Sequence, residues 1–64
     1  MLRLVKTDKL RIAFRPEEVS RVIQNMRENK LTIFFTDNRP VELTFSSSRD
    51  CDIAFDAIYI QLLE

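Results

Sequence analysis

The chain of 64 residues contains no glycine, no histidine and no tryptophan, and its one cysteine is Cys51. Each absence removes a class of chemistry. Without histidine there is no Ser-His-Asp or Cys-His pair and no imidazole to carry a proton at neutral pH. Without glycine there is neither a phosphate-cradling P-loop nor a dinucleotide fingerprint. One cysteine allows no internal disulfide, and a single thiol without imidazole is too small a ligand set for a tetrahedral zinc site. No run approaches the roughly 18 apolar residues of a membrane span. The opening Met1-Leu2-Arg3-Leu4-Val5-Lys6 lacks the apolar stretch of a secretion signal, so a cytosolic chain with a reduced thiol is expected.

The missing glycine also constrains the turns. Positions needing positive φ must fall to asparagine or aspartate. The candidate turns are Thr7-Asp8-Lys9, Arg27-Glu28-Asn29 and Asp37-Asn38-Arg39-Pro40.

What is present is the composition of a folded globule, 45% hydrophobic and 31% charged. A chain of this length is one α+β domain, residues 1–64, and it buries only about 60% of the surface its unfolded form exposes. Such domains need a staple. With disulfide and metal excluded, the remaining options are a partner chain or an unusually well packed core.

The formal net charge is zero but unevenly spread. Residues 1–32 hold eight Lys/Arg against four Asp/Glu, and residues 33–64 hold two against six. The neutral total argues against bulk nucleic-acid affinity, which rests on neutralising many phosphates. The asymmetry favours antiparallel or head-to-tail self-association. Seven of the ten basic residues are arginine, whose planar fork suits phosphate and carboxylate.

Alternation marks the strands. Leu2 and Leu4 alternate with Arg3. In Leu10-Arg11-Ile12-Ala13-Phe14-Arg15 the apolar Leu10, Ile12 and Phe14 share one face, with Arg11 and Arg15 on the other. The hairpin signal is plain in Lys30–Thr36 and Val41–Phe45, which flank the Asp-Asn-Arg-Pro turn. Leu31, Ile33 and Phe35 face one way, Val41, Leu43 and Phe45 match them, and Phe34 points to the opposite side. Ser46-Ser47-Ser48 supplies a helix cap, and Asp50 and Asp52 suit the positive end of its dipole. The spacing predicts a C-terminal helix over 48–63 whose stripe of Cys51, Ala54, Phe55, Ile58 and Leu62 covers the sheet.

Residues 16–29 admit two readings. As a helix they offer Pro16 in the first turn, then Val19, Val22, Ile23 and Met26 at 3–4 spacing. As a turn plus strand, Pro16-Glu17-Glu18 forms a corner and Val19 to Met26 enters the sheet. The fold is therefore a small antiparallel sheet under a C-terminal helix, either β-β-β-β-β-α or ββαββα. The corner Phe14-Arg15-Pro16-Glu17, then Val19 and Val22, the hairpin Thr36-Asp37-Asn38 and the serine-capped helix from Ser46 give a layout over most of the chain. That layout resembles small bacterial and phage single-sheet proteins of the FlbD-like kind. The resemblance rests on spacing and implies the all-strand version, and no function is carried over from it.

No catalytic residues are expected. Asp52 and Asp56 stand four apart on one helical face, where two carboxylates could share a cation, but a solvated flank is the plainer reading. Glu17 and Glu18 read as corner residues. Cys51 sits in the first helical turn, yet its angle puts it on the core stripe, where it is filler and not a nucleophile. The informative residues lie elsewhere on the helix. Ile53, Ala57 and Ile60 fall on the side away from the core stripe, and Tyr59 and Leu63 widen the apolar arc. One helix on one sheet cannot bury both sides, so Ile53, Ala57, Ile60 and the outward Phe34 are the candidate oligomer or partner interface. Arg11 and Arg15, with Arg3 from the neighbouring strand, are the candidate anionic-ligand residues. The expected function is a small non-enzymatic, self-associating binding module of the regulatory or phage-inhibitor type, acting by occupying a protein partner. The alternative is an oligomeric binder of an anionic small molecule such as a nucleotide signal, or of single-stranded nucleic acid. Neither involves a cofactor, a metal or a membrane.

Overall fold

A computed structural model describes residues 1–63. Strands β1 (Arg3–Lys6) and β2 (Arg11–Phe14) form one antiparallel hairpin, in which Thr7 Oγ1 accepts from the amides of Lys9 and Leu10 and fixes the turn. A 3-10 turn at Pro16–Glu18 follows, and then β3 (Val19–Asn25), β4 (Lys30–Phe35) and β5 (Pro40–Thr44) form a three-stranded antiparallel sheet in that order. Helix α1 (Ser48–Leu62) closes the chain. The all-strand version of residues 16–29 is the one realised. The five strands divide into two sheets because the corner at Pro16, where the Glu18 amide donates to the Arg15 carbonyl at 3.0 Å, turns the chain away from β2.

The core lies where the hairpin, β4 and α1 meet. Val5 and Phe14 come from the hairpin, Leu31 and Ile33 from β4, and Cys51, Ala54 and Ile58 from α1. Leu31 stands between Gln24 and Leu43, and Ile33 between Val22 and Val41, so the inner face of the sheet is apolar but for Gln24 on β3. Burying an aliphatic side chain of this size contributes about 1.5–3 kcal/mol. The hairpin is oriented by Val5, not by the two leucines: Leu2 and Leu4 are 62% and 56% exposed.

A β-bulge explains why β3 reads as a helix. Val19 faces Phe35 but Arg21 faces Phe34, so Ser20 is an extra residue in the strand. Its hydroxyl donates to the Phe34 carbonyl at 3.1 Å. The inserted residue brings Val19 and Val22 to the same face at a separation of three, which is helical spacing produced by a broken strand. Past the bulge Val22 and Gln24 face inward, and Arg21, Ile23 and Asn25 outward.

Asn29 and Asn38 take the left-handed backbone positions, with φ of 54° and 67°. In the first turn Asn25 Oδ1 accepts from the amides of Arg27 and Glu28; in the second Asp37 Oδ1 accepts from Arg39 at 3.1 Å. Ser47 caps α1, accepting from the Asp50 amide at 3.2 Å. Replacing Asn38 by alanine should lower stability by about 1 kcal/mol, since an alanine Cβ is poorly tolerated at positive φ, while Asn38→Gly should be near neutral. Urea denaturation of the two variants checks this; equal midpoints would remove the backbone explanation.

The Glu17 carboxylate is held below the ordinary glutamate range by its own backbone amide and by the Met1 ammonium 3.0 Å away. A depressed value in the folded chain means stability that is present above the unfolded glutamate pKa and lost as pH falls through the folded one. The side chain is exposed, so the contribution is small. A carboxyl NMR titration should show Glu17 titrating below the ordinary range and moving up when the Met1 amine is acetylated.

Candidate functional site

The helix places its apolar residues on two sides. The inner side packs as expected: Cys51, Ala54 and Ile58 are fully buried, and Phe55 and Leu62 are half-buried against them. On the outer side Ile53 and Ile60, two helical turns apart, are 45% and 56% exposed, and Tyr59 and Leu63 are exposed beside them. Ala57 does not belong to that surface. It is half-buried and packs against the core, because its position on the wheel lies at the flank of the helix and its methyl is short enough to fit there. Nor does Phe34 join it. Phe34 lies on the face of the sheet turned away from α1, half-buried under Arg21, whose guanidinium carbon sits 4.2 Å from the ring centroid. The exposed apolar residues on the outer side of α1 are therefore Ile53 and Ile60, with Tyr59 and Leu63 beside them.

Beside the helix, β3 ends the three-stranded sheet, and Val22 with Phe55, Tyr59 and Leu62 lines an open apolar groove of about 230 Å³. Phe55 and Tyr59 stack in it with centroids 6.2 Å apart. Gln24 Nε2 donates to Asp52 Oδ1 at 2.5 Å and ties the strand to the helix. Small-molecule clefts are usually some 300–1,000 Å³. This groove is smaller than that range.

The cationic residues assort differently from the sequence reading. In the β1–β2 ladder Arg3 stands opposite Phe14, and Val5 opposite Ile12, so Arg3 belongs to the inward face. It is half-buried there and does not join Arg11 and Arg15. The reason is register: Val5 is the residue that fills the core, which puts Leu4 outward and Arg3 inward. Lys6 takes the place assigned to Arg3, since it stands directly opposite Arg11. The exposed outer face of the hairpin thus carries Leu2, Leu4 and Ala13 flanked by Lys6, Arg11 and Arg15. Arg15 also pairs with Glu18 at 3.6 Å.

No group of three or more metal-ligating side chains occurs among the described residues. No helix among them is long and apolar enough to cross a membrane. Burial pushes the Cys51 thiol up from its ordinary value, and the Asp52 carboxylate adds to the effect. A thiol reagent that requires thiolate should therefore modify Cys51 only as fast as the chain opens, with a rate that follows urea unfolding. Rapid labelling in native buffer would show the thiol to be accessible. No protein-family model matches the chain, and neither a curated protein nor a solved structure matches it.

Proposed function

We infer that the chain is a non-catalytic binding module that works as a homo-oligomer and acts by occupying a protein partner. The observation that supports this reading is the outer stripe of α1, where Ile53 and Ile60 stay in water although the helix already buries a full stripe on its other side. Aligned apolar residues on an otherwise charged helix are costly to leave wet, and covering them supplies the staple that a chain of this length otherwise lacks. The groove between β3 and α1 lies to one side of Ile53 and Ile60, with Tyr59 at its edge. It stays open for an extended partner segment, whose backbone would add to the end strand while an apolar side chain fills the groove.

Light scattering coupled to size exclusion tests the reading. The wild-type chain should run as a dimer or larger at micromolar concentration, and Ile60→Glu should run as a folded monomer. Phe34→Ala, on the far side of the sheet, should leave the assembly intact. A wild-type monomer at high micromolar concentration overturns the reading.

A second reading, an anionic ligand such as a nucleotide held by the hairpin, is supported by the convergence of Lys6, Arg11 and Arg15 on one exposed face. Thermal shift against a nucleotide panel and an oligonucleotide salt series would show it; no response in either removes it.

A further inference from the structure

We propose that the free edge of β3 and the groove beside it receive one short extended segment of a protein partner, bound antiparallel to β3 in a single register. This rests on the partner-binding part of the reading above and specifies the segment by its chemistry. The register follows from the backbone. The Phe45 amide donates to the Asn29 carbonyl at 2.9 Å and the Phe35 amide to the Arg39 carbonyl at 3.4 Å, so the odd-numbered residues of β4 turn their polar groups toward β5. The even-numbered side turns toward β3, as the Thr36 amide shows by donating to the Glu18 carbonyl at 2.8 Å. Lys30, Thr32 and Phe34 therefore engage Asn25, Ile23 and Arg21, which stand opposite them. What β3 offers at its other edge is the amide and carbonyl of Val22 and of Gln24. No strand pairs with that edge among the described residues. The bulge at Ser20 interrupts it on one side, and the turn after Asn25 ends it on the other.

These groups dictate how a partner strand lies. Running antiparallel, it sets one residue opposite Val22, the preceding one opposite Ile23 and the one before that opposite Gln24. The residues opposite Val22 and Gln24 exchange both backbone bonds with them, and their side chains fall on the α1 side of the sheet. The residue opposite Val22 thus enters the groove lined by Val22, Phe55, Tyr59 and Leu62, whose apolar walls suit a leucine. The residue opposite Gln24 meets Asp52, to which Gln24 Nε2 donates, with Asp56 one helical turn on. Arg49, on the outer side of the helix, offsets only one of these carboxylates, so a lysine fits here.

On the face turned away from α1, Ile23 is 45% exposed and is best covered by a β-branched residue such as valine. The next position, opposite the exposed Arg21, suits a carboxylate. The segment therefore reads lysine, valine, leucine, glutamate from its N-terminus. The other end strand, β5, is a poorer receiver, because Pro40 has no amide to donate and Glu42 stands at its free edge.

Nuclear magnetic resonance titration of the wild-type chain with acetyl-Ser-Lys-Val-Leu-Glu-Ser-amide tests the docking. The amide signals of Val22 and Gln24 should shift, and their hydrogen exchange should slow as peptide is added. Methylating the leucine nitrogen removes the donor to the Val22 carbonyl and should weaken binding roughly tenfold. Methylating the valine nitrogen, which points away from β3, should change it less than about twofold. The reversed peptide, acetyl-Ser-Glu-Leu-Val-Lys-Ser-amide, should bind more weakly than the parent. Three outcomes overturn the docking: no shift at Val22 and Gln24 with millimolar peptide, equal affinity of the two methylated peptides, or exchange at these amides that slows with protein concentration alone, which would put a second copy on the edge. If Ile60→Glu turns a dimer into a monomer and no peptide binds, self-association stands and this docking falls. If the wild type is monomeric and the peptides bind in the stated order, the docking stands and self-association falls.

Discussion

The contact of the α1 inner stripe with Leu31 and Ile33 is the one on which the rest of the molecule depends. β4 is the central strand of its sheet, and both of these residues are fully buried. Cys51, Ala54 and Ile58 are small or slender enough for the helix to come close to the sheet, and the hairpin completes the enclosure with Val5 and Phe14. Nothing covalent supports this arrangement, since the one thiol is unpaired. The exposed ion pairs, such as Lys30–Glu28 at 3.8 Å and Arg39–Asp37 at 3.8 Å, contribute between nothing and about 1 kcal/mol each. Stability therefore comes from a thin apolar layer, and a layer that thin leaves apolar residues over.

Those left over are not placed at random. Ile53 and Ile60 follow from helical geometry once the inner stripe is fixed, because a helix turned to bury Cys51, Ala54 and Ile58 has to present the residues about half a turn away. Leu2 and Leu4 follow in the same way from strand geometry. Once Val5 faces the core, the pleat sends its neighbours outward. A single choice of buried residue in each element thus sets which apolar residues that element leaves exposed.

Much of the fold was legible because its signals were local. The hairpin of β4 and β5 shows clean alternation around an Asp-Asn turn, the helix starts at a serine cap, and the absence of glycine singles out asparagines for the left-handed positions. Asn29 and Asn38 occupy them. Where the signal depended on pairing, the sequence misled. The bulge at Ser20 gave β3 a helical spacing, and no residue type marks it as a bulge. The inward face of β1 could not be chosen from Leu2-Arg3-Leu4 alone, because three residues of alternation say that a face exists but not which one is buried. Alternation alone therefore groups Arg3 with Arg11 and Arg15, where the register sets Lys6 instead. Helical angle alone puts Ala57 outward, although an alanine at a helix flank packs inward as readily as outward.

The charge asymmetry of the chain acquires a spatial meaning from this register. Its basic half supplies Lys6, Arg11 and Arg15 to the outer face of the hairpin, and its acidic half supplies Asp52 and Asp56, together with Arg49, to the exposed side of α1. In a chain with a larger core, such segregation would be a matter of solubility and long-range steering. Here each charged margin surrounds apolar residues that the single core could not take in, so charge and exposed apolar area occupy the same two places. The limit on what 64 residues can bury thus decides where the exposed apolar residues lie as well as which residues fill the core.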